Sequence, residues 1–324
     1  MKYRILGKTG IKVSEIGFGA WAIGSHWGTQ HMTDSVEALD KAIDLGLNFI
    51  DTALGYGNGK SEQIIAEVLK ERREEVVVAT KIPPADGPWP PSPYCRVEER
   101  YSEEYIRKTV DTCRKNLETD CIDILQLHTW TRAWNRNPKP LDILHKLKSE
   151  GIIKHIGIST PEHDQNSLIY LMKEGYLDTI QLIYNIFEQE PAAELLPVAL
   201  DANVGVIVRV AFDEGILTGK YPADHLFPKD DFRSKYFEGD RVPRAVSRVE
   251  DIKEAIKDTS YTMPQAALKF VLAHPAVASV ITGIRNEDQA SMNIEVSEMP
   301  DMSEELVEKL YNHTWLRGFW YSGK

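Results

Sequence analysis

The sequence predicts an α/β protein that folds as a (β/α)8 TIM barrel, with an N-terminal β-hairpin and extra C-terminal helices. Strand-type and helix-type segments alternate eight times along the 324 residues. The strand-type runs are apolar, as in VVVATK at 76–81, which is typical of parallel strands covered on both faces. No linker or change of composition divides the chain, so residues 1–324 are expected to form a single domain.

The elements are predicted in the following order. Residues 3–6 and 11–13 form the hairpin. The eight barrel strands are predicted at 16–19, 47–51, 76–81, 122–128, 155–159, 179–183, 204–210 and 278–281. The helices are predicted at 36–45, 61–70, 105–117, 141–148, 168–173, 192–201, 246–257, 264–273 and 287–296, with an extra one at 302–315. Thr33 or Asp34 is expected to cap the first helix and Ser102 the third, and a long loop is expected from 211 to about 243.

A doubly wound parallel sheet is the alternative to the barrel. It would be favoured by a GxGxxG motif after the first strand. The segment 17–22 reads GFGAWA and lacks the third glycine. Eight β/α units within about 290 residues match the usual size of a closed barrel, which we therefore expect.

Composition argues against several classes of function. The formal net charge of -11 disfavours a nucleic-acid partner, because binding to phosphate backbones needs clustered Lys and Arg. The N-terminus lacks the apolar core of a signal peptide, and no apolar run reaches about 18 residues, so a cytoplasmic protein without a membrane span is expected. The three cysteines have no metal or redox spacing, and the scattered histidines form no HExxH motif, so no metal is expected. The oligomeric state is not indicated.

Polar side chains end six of the predicted strands. In a barrel, these carboxyl ends meet at one face, which is where barrel enzymes place their active sites. A single residue of this kind could be a strand cap, but six at equivalent positions indicate a functional site. They are Asp51, Lys81, His128, Ser159, Gln181 and Arg209.

The residue types at these ends suit proton transfer. Tyr56 follows Asp51 in a glycine-rich segment. To donate a proton near neutral pH, its pKa of about 10 is expected to fall by about two to three units. A Lys81 ammonium at about 4 Å would supply about 4 kcal/mol at an effective dielectric near 20, with Asp51 as its counter-ion. His128 can donate a hydrogen bond to the oxygen that is protonated. The set suits reduction of a carbonyl group, and a nicotinamide cofactor is implied because the chain has no redox group of its own.

The motifs around these residues resemble the aldo-keto reductase family along nearly the whole chain. They include LGKTGIKVSEIGFGAW (6–21), FIDTALGYGNGKSE (49–62), VVVATK (76–81), CIDILQLH (121–128), KHIGIS (154–159), IQLIYN (180–185), EGILTGKY (214–221) and ITGIRNEDQASMN (281–293). The resemblance implies a TIM barrel that reduces carbonyl groups with NAD(P)H. It also implies that the catalytic residues are Asp51, Tyr56, Lys81 and His128.

The resemblance further implies a set of cofactor-binding residues. Ser159 and Gln181 would bind the carboxamide, and Arg209 would stack on the nicotinamide ring where many members have tyrosine. A Lys-Ser pair that is frequent in the family is replaced here by Gly283 and Ile284. Arg285 is therefore expected to favour NADPH by binding the 2′-phosphate of that cofactor, with NADH possible. The implied set is Gly19, Ala20, Trp21, Asp51, Ser159, Thr160, Gln181, Arg209, Val210, Phe212, Gly215, Leu217, Lys220, Gly283, Arg285, Gln289 and Asn293.

Aromatic side chains crowd the loops that would select the substrate. The proline-rich segment 83–101 is expected to be stiff. These loops predict an aromatic, partly cationic pocket for a small polar aldehyde, ketone or keto-sugar, with Arg132 or Arg136 meeting a carboxylate or phosphate. The predicted substrate contacts are Trp21, Trp27, Tyr56, Trp89, His128 and Trp130.

Two alternative functions stay open at this point. The first is a nicotinamide-binding redox sensor or regulatory module, a role that the resemblance also includes. The second is a sugar lyase or epimerase that recycles its cofactor at the same Tyr56–Lys81 pair. NADPH binding without turnover would indicate the first, and turnover without net NADPH consumption would indicate the second.

Overall fold

Eight parallel strands close into a barrel in this computed structural model, which describes residues 1–24 and 30–315. Strands β1 (Tyr3–Ile5) and β2 (Lys12–Ser14) pair antiparallel as the predicted hairpin. The ring closes between its first and last strands, which confirms the predicted TIM barrel. Its strands are β3 (Ile16–Gly19), β4 (Phe49–Asp51), β5 (Val77–Ile82), β6 (Ile122–Leu127), β7 (Ile153–Ser159), β8 (Thr179–Ile183), β9 (Gly205–Arg209) and β10 (Val277–Gly283).

Helices surround this ring, and short 3-10 turns precede several of them. Within residues 1–24 and 30–315, none of the helices has the length and apolar character needed to cross a membrane. The helices are α1 (Trp21–Gly24), α2 (Met32–Asp44), α3 (Lys60–Leu69), α4 (Val97–Arg100), α5 (Glu103–Asn116), α6 (Lys139–Ser149), α7 (Ile169–Lys173), α8 (Leu195–Asp201), α9 (Arg233–Tyr236), α10 (Arg241–Ile256), α11 (Met263–Ala273), α12 (Glu287–Glu295) and α13 (Glu304–Tyr311).

Local chemistry explains where the helices begin. Ser102 caps α5 as predicted, because its side chain accepts a hydrogen bond from the backbone of Tyr105 at 3.2 Å. The predicted cap of the first helix is wrong. The N-cap of α2 is His31, whose carbonyl accepts bonds from both the backbone and the hydroxyl of Ser35. The predicted loop at 211–243 is also interrupted, by α9 and by a 3-10 turn at Ile216–Thr218.

The lower end of the barrel is filled with apolar side chains. Leu6 and Val13 of the hairpin segment pack in one buried cluster with Phe49, Ala79 and Ile124 of the strands. Side chains alternate between the two faces of a strand, so the residues two positions further along face the same interior. Those residues are Asp51, Lys81 and Gln126, and they place a polar layer directly above the apolar one.

Candidate active site

The polar strand ends come together at the carboxyl face of the barrel. Asp51, Ser159 and Arg209 are the last residues of their strands. His128 directly follows β6, and its backbone N–H donates to the carbonyl of Ile82 at 3.0 Å. The ring of polar ends that the sequence predicts is therefore present on a single face.

A buried ion pair forms the base of this site. The ammonium of Lys81 lies 2.5 Å from one oxygen of Asp51 and donates to the carbonyl of Thr52 at 2.9 Å. The other oxygen of Asp51 accepts amide hydrogen bonds from Gln126 at 3.2 Å and Gln181 at 2.7 Å. Both charged side chains are almost fully buried, so this saturation of their hydrogen bonds offsets the cost of removing them from water.

Tyr56 reaches the ion pair from a tight turn between β4 and α3. Its hydroxyl lies 3.3 Å from the ammonium of Lys81. Gly57, Asn58 and Gly59 follow it with φ angles of 67°, 54° and 88°, a left-handed run that favours glycine and asparagine. A Cβ on Gly57 would lie 2.4 Å from the carbonyl oxygen of Gly24, so the sequence allows this turn to pack directly against α1.

Burial and charge set the protonation of this pair. Burial alone would lower the pKa of Lys81, but Asp51 and then Tyr56 outweigh it and raise that pKa, so the ammonium persists at neutral pH. Burial raises the pKa of Tyr56 above its ordinary 10.0, and Lys81 offsets only part of the effect. The expectation that the pKa of the phenol falls by two to three units is therefore wrong in this structure, because desolvation of the phenolate outweighs the lowering by Lys81.

His128 completes the site beside the phenol. Its ring meets that of Tyr56 edge-on, with centroids 5.7 Å apart. Burial, followed by the charges of Lys81 and Arg209, holds the pKa of His128 well below its ordinary 6.5. The imidazole is therefore neutral at physiological pH and retains one N–H to donate.

A cleft of about 1330 Å³ opens above these residues. Its volume exceeds the roughly 300–1,000 Å³ of an ordinary small-molecule pocket and suits a dinucleotide beside a substrate. With the exception of Leu217, every predicted cofactor residue lines this cleft, as do Tyr56, Trp89 and His128.

Two of the predicted contacts do not line the cleft, and a third lies outside the described residues. Leu217 is fully buried in the core, and its backbone N–H donates to the carbonyl of Phe212 at 3.0 Å. Trp130 is also fully buried, and its indole donates to Asn135 at 2.7 Å. Neither side chain is part of the cleft lining, because both complete the apolar packing behind the cleft. The predicted substrate contact Trp27 lies outside the described residues.

The segment after β9 folds across the cleft. Val210 has a φ of 60°, which is unusual for a β-branched residue, and its carbonyl accepts a bond from Asn185 at 2.9 Å. Further along, Phe232 packs on Trp21 with ring centroids 4.7 Å apart. Arg233 lies beside Asp231 and donates to the hydroxyl of Tyr221 at 2.9 Å. These contacts fix the segment as the outer wall of the cleft.

The opposite end of the cleft contains Arg285. Its backbone N–H donates to the side chain of Gln289 at 2.9 Å, and its guanidinium Nε donates to Gln30 at 2.8 Å. Asn293 lies on the same α12 and reaches the carbonyl of Gly283 at 3.5 Å. The predicted adenosine-binding residues therefore lie together between the end of β10 and α12.

Two buried polar groups near the reactive end suit an additional bound group. The amide of Gln181 donates to Asp51, but its carbonyl oxygen has no hydrogen-bond partner in the part of the chain that the structure describes. The Nε of Arg209 is also buried without a partner among those residues, although its terminal nitrogens reach Thr160 and Glu162. A carboxamide offers an N–H donor and an oxygen acceptor, so these groups fit a nicotinamide.

Across residues 1–24 and 30–315, no group of three or more His, Cys, Asp and Glu side chains is arranged to hold a metal ion.

Comparison with known proteins decides the family. A sequence model of the aldo/keto reductase family matches residues 15–313. The chain belongs to this family. The aldo/keto reductase is 31% identical to aldo-keto reductase YhdN of Bacillus subtilis, over 92% of this chain and 89% of the relative. It is 30% identical to the NADH-specific methylglyoxal reductase of Escherichia coli, over 94% and 99% of the two chains.

The fold comparison agrees with this assignment. The aldo/keto reductase superposes on the structure of glycerol dehydrogenase AKR11B4 from Gluconobacter oxydans with a TM-score of 0.79 and 27% identity, over 96% of this chain and 94% of that one. The protein is thus an NAD(P)H-dependent oxidoreductase that acts on carbonyl and alcohol groups, as the sequence predicts.

The sequence prediction lacks several residues of the aldo/keto reductase site, and Gln126, Gln30 and Phe232 are examples. Gln126 on β6 donates to Asp51 and lies two positions before His128, which directly follows that strand, so the two-residue strand period could have indicated it. Gln30 and Phe232 come from loops without periodicity. Only the folded chain places Phe232 on the cleft wall and Gln30 against Arg285.

Proposed function

We propose that this aldo/keto reductase reduces a small aldehyde, ketone or keto-sugar with NADPH, with Tyr56 as the proton donor. The observation that carries the proposal is the position of the Tyr56 hydroxyl. It lies 3.3 Å from an ammonium that is itself paired to Asp51, at the floor of a cleft that also holds His128. Bound nicotinamide would supply the hydride to the carbonyl carbon.

The proton then comes from the chain itself. Because the pKa of Tyr56 is raised by burial, the phenol is protonated at neutral pH and ready to donate. An alkoxide is a stronger base than a phenolate, so transfer from Tyr56 to the reduced oxygen is favourable. The Lys81 ammonium stabilises the phenolate that remains. Neutral His128 donates a hydrogen bond to the substrate oxygen while its negative charge develops.

The cofactor would lie along the cleft in an extended form. Ser159 and Gln181 are proposed to bind the carboxamide, with Arg209 against the nicotinamide ring. Lys220 and the segment 210–215 would meet the pyrophosphate, and Arg285, Gln289 and Asn293 the adenosine end. Arg285 and Lys220 favour the additional phosphate of NADPH. One relative is NADH-specific by name, so the test of this proposal compares NADPH with NADH.

The substrate would enter between two indole rings. Trp21 stacks beside Tyr56 with centroids 6.2 Å apart, and Trp89 meets His128 edge-on at 5.6 Å. The glycerol dehydrogenase with the same fold acts, by its name, on a polyhydroxy compound, which supports a sugar-like substrate. Arg132 does not line this cleft, because its exposed side chain is paired with Asp164 on the surface.

A cytoplasmic location is part of the proposal. Cys95, Cys113 and Cys121 are all present as free thiols. Free thiols are typical of proteins that work in a reducing compartment. The nucleotide that we propose as cofactor is used there as well.

The test combines a substrate screen with one substitution. NADPH and NADH consumption is measured over aldehydes, keto-sugars and keto-acids. Tyr56→Phe should then reduce kcat/KM for the best carbonyl substrate by about 10²-fold or more while the cofactor Kd stays unchanged, because only the proton donor is lost. Tyr94→Phe is the matched control, since Tyr94 is 95% exposed. Turnover of Tyr56→Phe close to that of wild type would contradict the proposed role, and NADPH binding without any turnover would favour a redox sensor.

A further inference from the structure

Two loops at opposite ends of the sequence meet beside the cleft through a reciprocal pair of hydrogen bonds. The Nε of Arg285 donates to the side-chain oxygen of Gln30 at 2.8 Å. The side-chain nitrogen of Gln30 donates back to the backbone carbonyl of Arg285 at 2.9 Å. Gln30 precedes α2, and Arg285 precedes α12. A glutamine side chain therefore contacts both the guanidinium and the backbone of one arginine.

This pair restricts the direction in which the arginine points. A guanidinium is planar, and its five N–H groups have a fixed geometry. Once the Nε–H is directed at Gln30, the terminal nitrogens can face only a limited part of the cleft. The backbone N–H of Arg285 is also fixed, by Gln289 at 2.9 Å. Arg285 is thus held at its backbone and at the root of its charged group.

Gln30 is itself held by a buried neighbour. Its side-chain nitrogen also lies 3.1 Å from the hydroxyl of Ser35, which is fully buried in the first turns of α2. That hydroxyl donates in turn to the carbonyl of His31 at 3.0 Å. The position of Gln30 is therefore set by the start of a helix rather than by the exposed loop alone.

We propose that Gln30 is a positioning residue that determines the cofactor preference of this enzyme, because it orients Arg285 toward the 2′-phosphate of NADPH. The inference rests on the proposed function, in which Arg285 binds the adenosine end of the cofactor. Gln30 acts through Arg285 and not on the reacting atoms. Its loss should therefore affect the nucleotide that carries the 2′-phosphate and spare the one that lacks it.

The test measures the Kd of NADPH and of NADH by calorimetry for wild type and for Gln30→Leu, which keeps the size of the side chain but removes its hydrogen bonds to Arg285 and to Ser35. The Kd of NADPH should rise about tenfold, whereas that of NADH should stay within about twofold. Gln63→Leu is the control, because Gln63 is an exposed glutamine on α3, and it should change neither value. An equal rise for both nucleotides, or no rise for either, would overturn the proposal.

A double-mutant cycle separates positioning from a direct contact. If Gln30 acts through Arg285, then Gln30→Leu should have no further effect on NADPH binding in an Arg285→Leu background. Additive losses would overturn the proposal. Nucleotide binding by the wild-type protein distinguishes a failure of the proposed function from a failure of this inference alone. If it binds neither nucleotide, the proposed function fails and the inference fails with it, whereas normal NADPH binding with an unaltered preference in Gln30→Leu removes the inference alone.

Discussion

Glu214 places a carboxyl group on the wall of the cleft, in the segment after β9. Burial, and then the neighbouring Asp213, raise its pKa from an ordinary 4.5 to about 8, although Arg209 and Arg233 oppose the shift. The unfolded chain releases this proton near pH 4.5, but the folded chain keeps it until about pH 8. The stability that the group contributes is therefore complete below pH 4.5 and is lost as the pH rises to 8.

Replacing Glu214 tests whether the free energy of unfolding falls as the pH rises, as the raised pKa predicts. Between pH 5 and pH 8, the free energy of unfolding of wild type should fall more steeply than that of Glu214→Gln, because the amide has no proton to lose. Urea midpoints at several pH values measure the difference. Glu308→Gln, at an exposed position on α13, should keep the wild-type slope. Parallel slopes for wild type and Glu214→Gln would show that the carboxyl is not desolvated in solution.

At the residue scale, the sequence predicts which side chains meet but not how strongly each is shielded. Asp51, Lys81 and His128 end neighbouring parallel strands, so topology alone brings them together. The pKa of Tyr56 depends on a balance between burial and the charge of Lys81. Burial is a property of the assembled cleft, which is why the expected direction of that shift was wrong while the predicted neighbours are present.

At the scale of elements, the stiff loop between β5 and α5 is held by one buried arginine. Arg100 is 4% exposed and donates to the carbonyls of Ala85 at 2.8 Å and Pro88 at 3.0 Å. Trp89 directly follows Pro88 and forms one wall of the proposed substrate site. The prolines in the sequence predict the stiffness of this loop. They cannot indicate the hydrogen bonds of Arg100, because Ala85 and Pro88 lie 15 and 12 residues before it in a segment without periodicity.

Replacing Arg100 should weaken substrate binding and leave cofactor binding almost unchanged. In Arg100→Met, the two carbonyls lose their donors and Trp89 loses its support. The KM of the best substrate should therefore rise about fivefold, which is about 1 kcal/mol, while the cofactor Kd stays within about twofold. Steady-state kinetics and nucleotide titration measure the two values. Arg96→Met is the control, since the Arg96 side chain is 75% exposed. Equal losses of substrate and cofactor binding would indicate general unfolding instead.

At the scale of the whole molecule, the candidate active site and the N-terminal hairpin lie at opposite ends of the barrel. The hairpin is predictable from its local turn, but its long-range contacts are not, because they join residues far apart in sequence. Arg4 of β1 donates to the carbonyls of Val277 at 2.9 Å and Leu272 at 2.9 Å. It also pairs at 3.0 Å with Glu15, which is 1% exposed. One side chain thus connects the start of the chain to β10 and α11.

Removing Arg4 should reduce stability without affecting catalysis. Arg4→Met leaves the buried Glu15 without its cation, and loss of one partner of a buried pair is strongly destabilising. Because Arg4 itself is partly exposed, we expect a loss of about 2–3 kcal/mol in the free energy of unfolding. Arg107→Met, which breaks an exposed pair with Glu150, should cost at most about 1 kcal/mol. Denaturant unfolding measures both, and kcat/KM at 25 °C should match wild type in each. Equal, small losses in the two variants would show that the pair of Arg4 with Glu15 does not contribute as a buried ion pair.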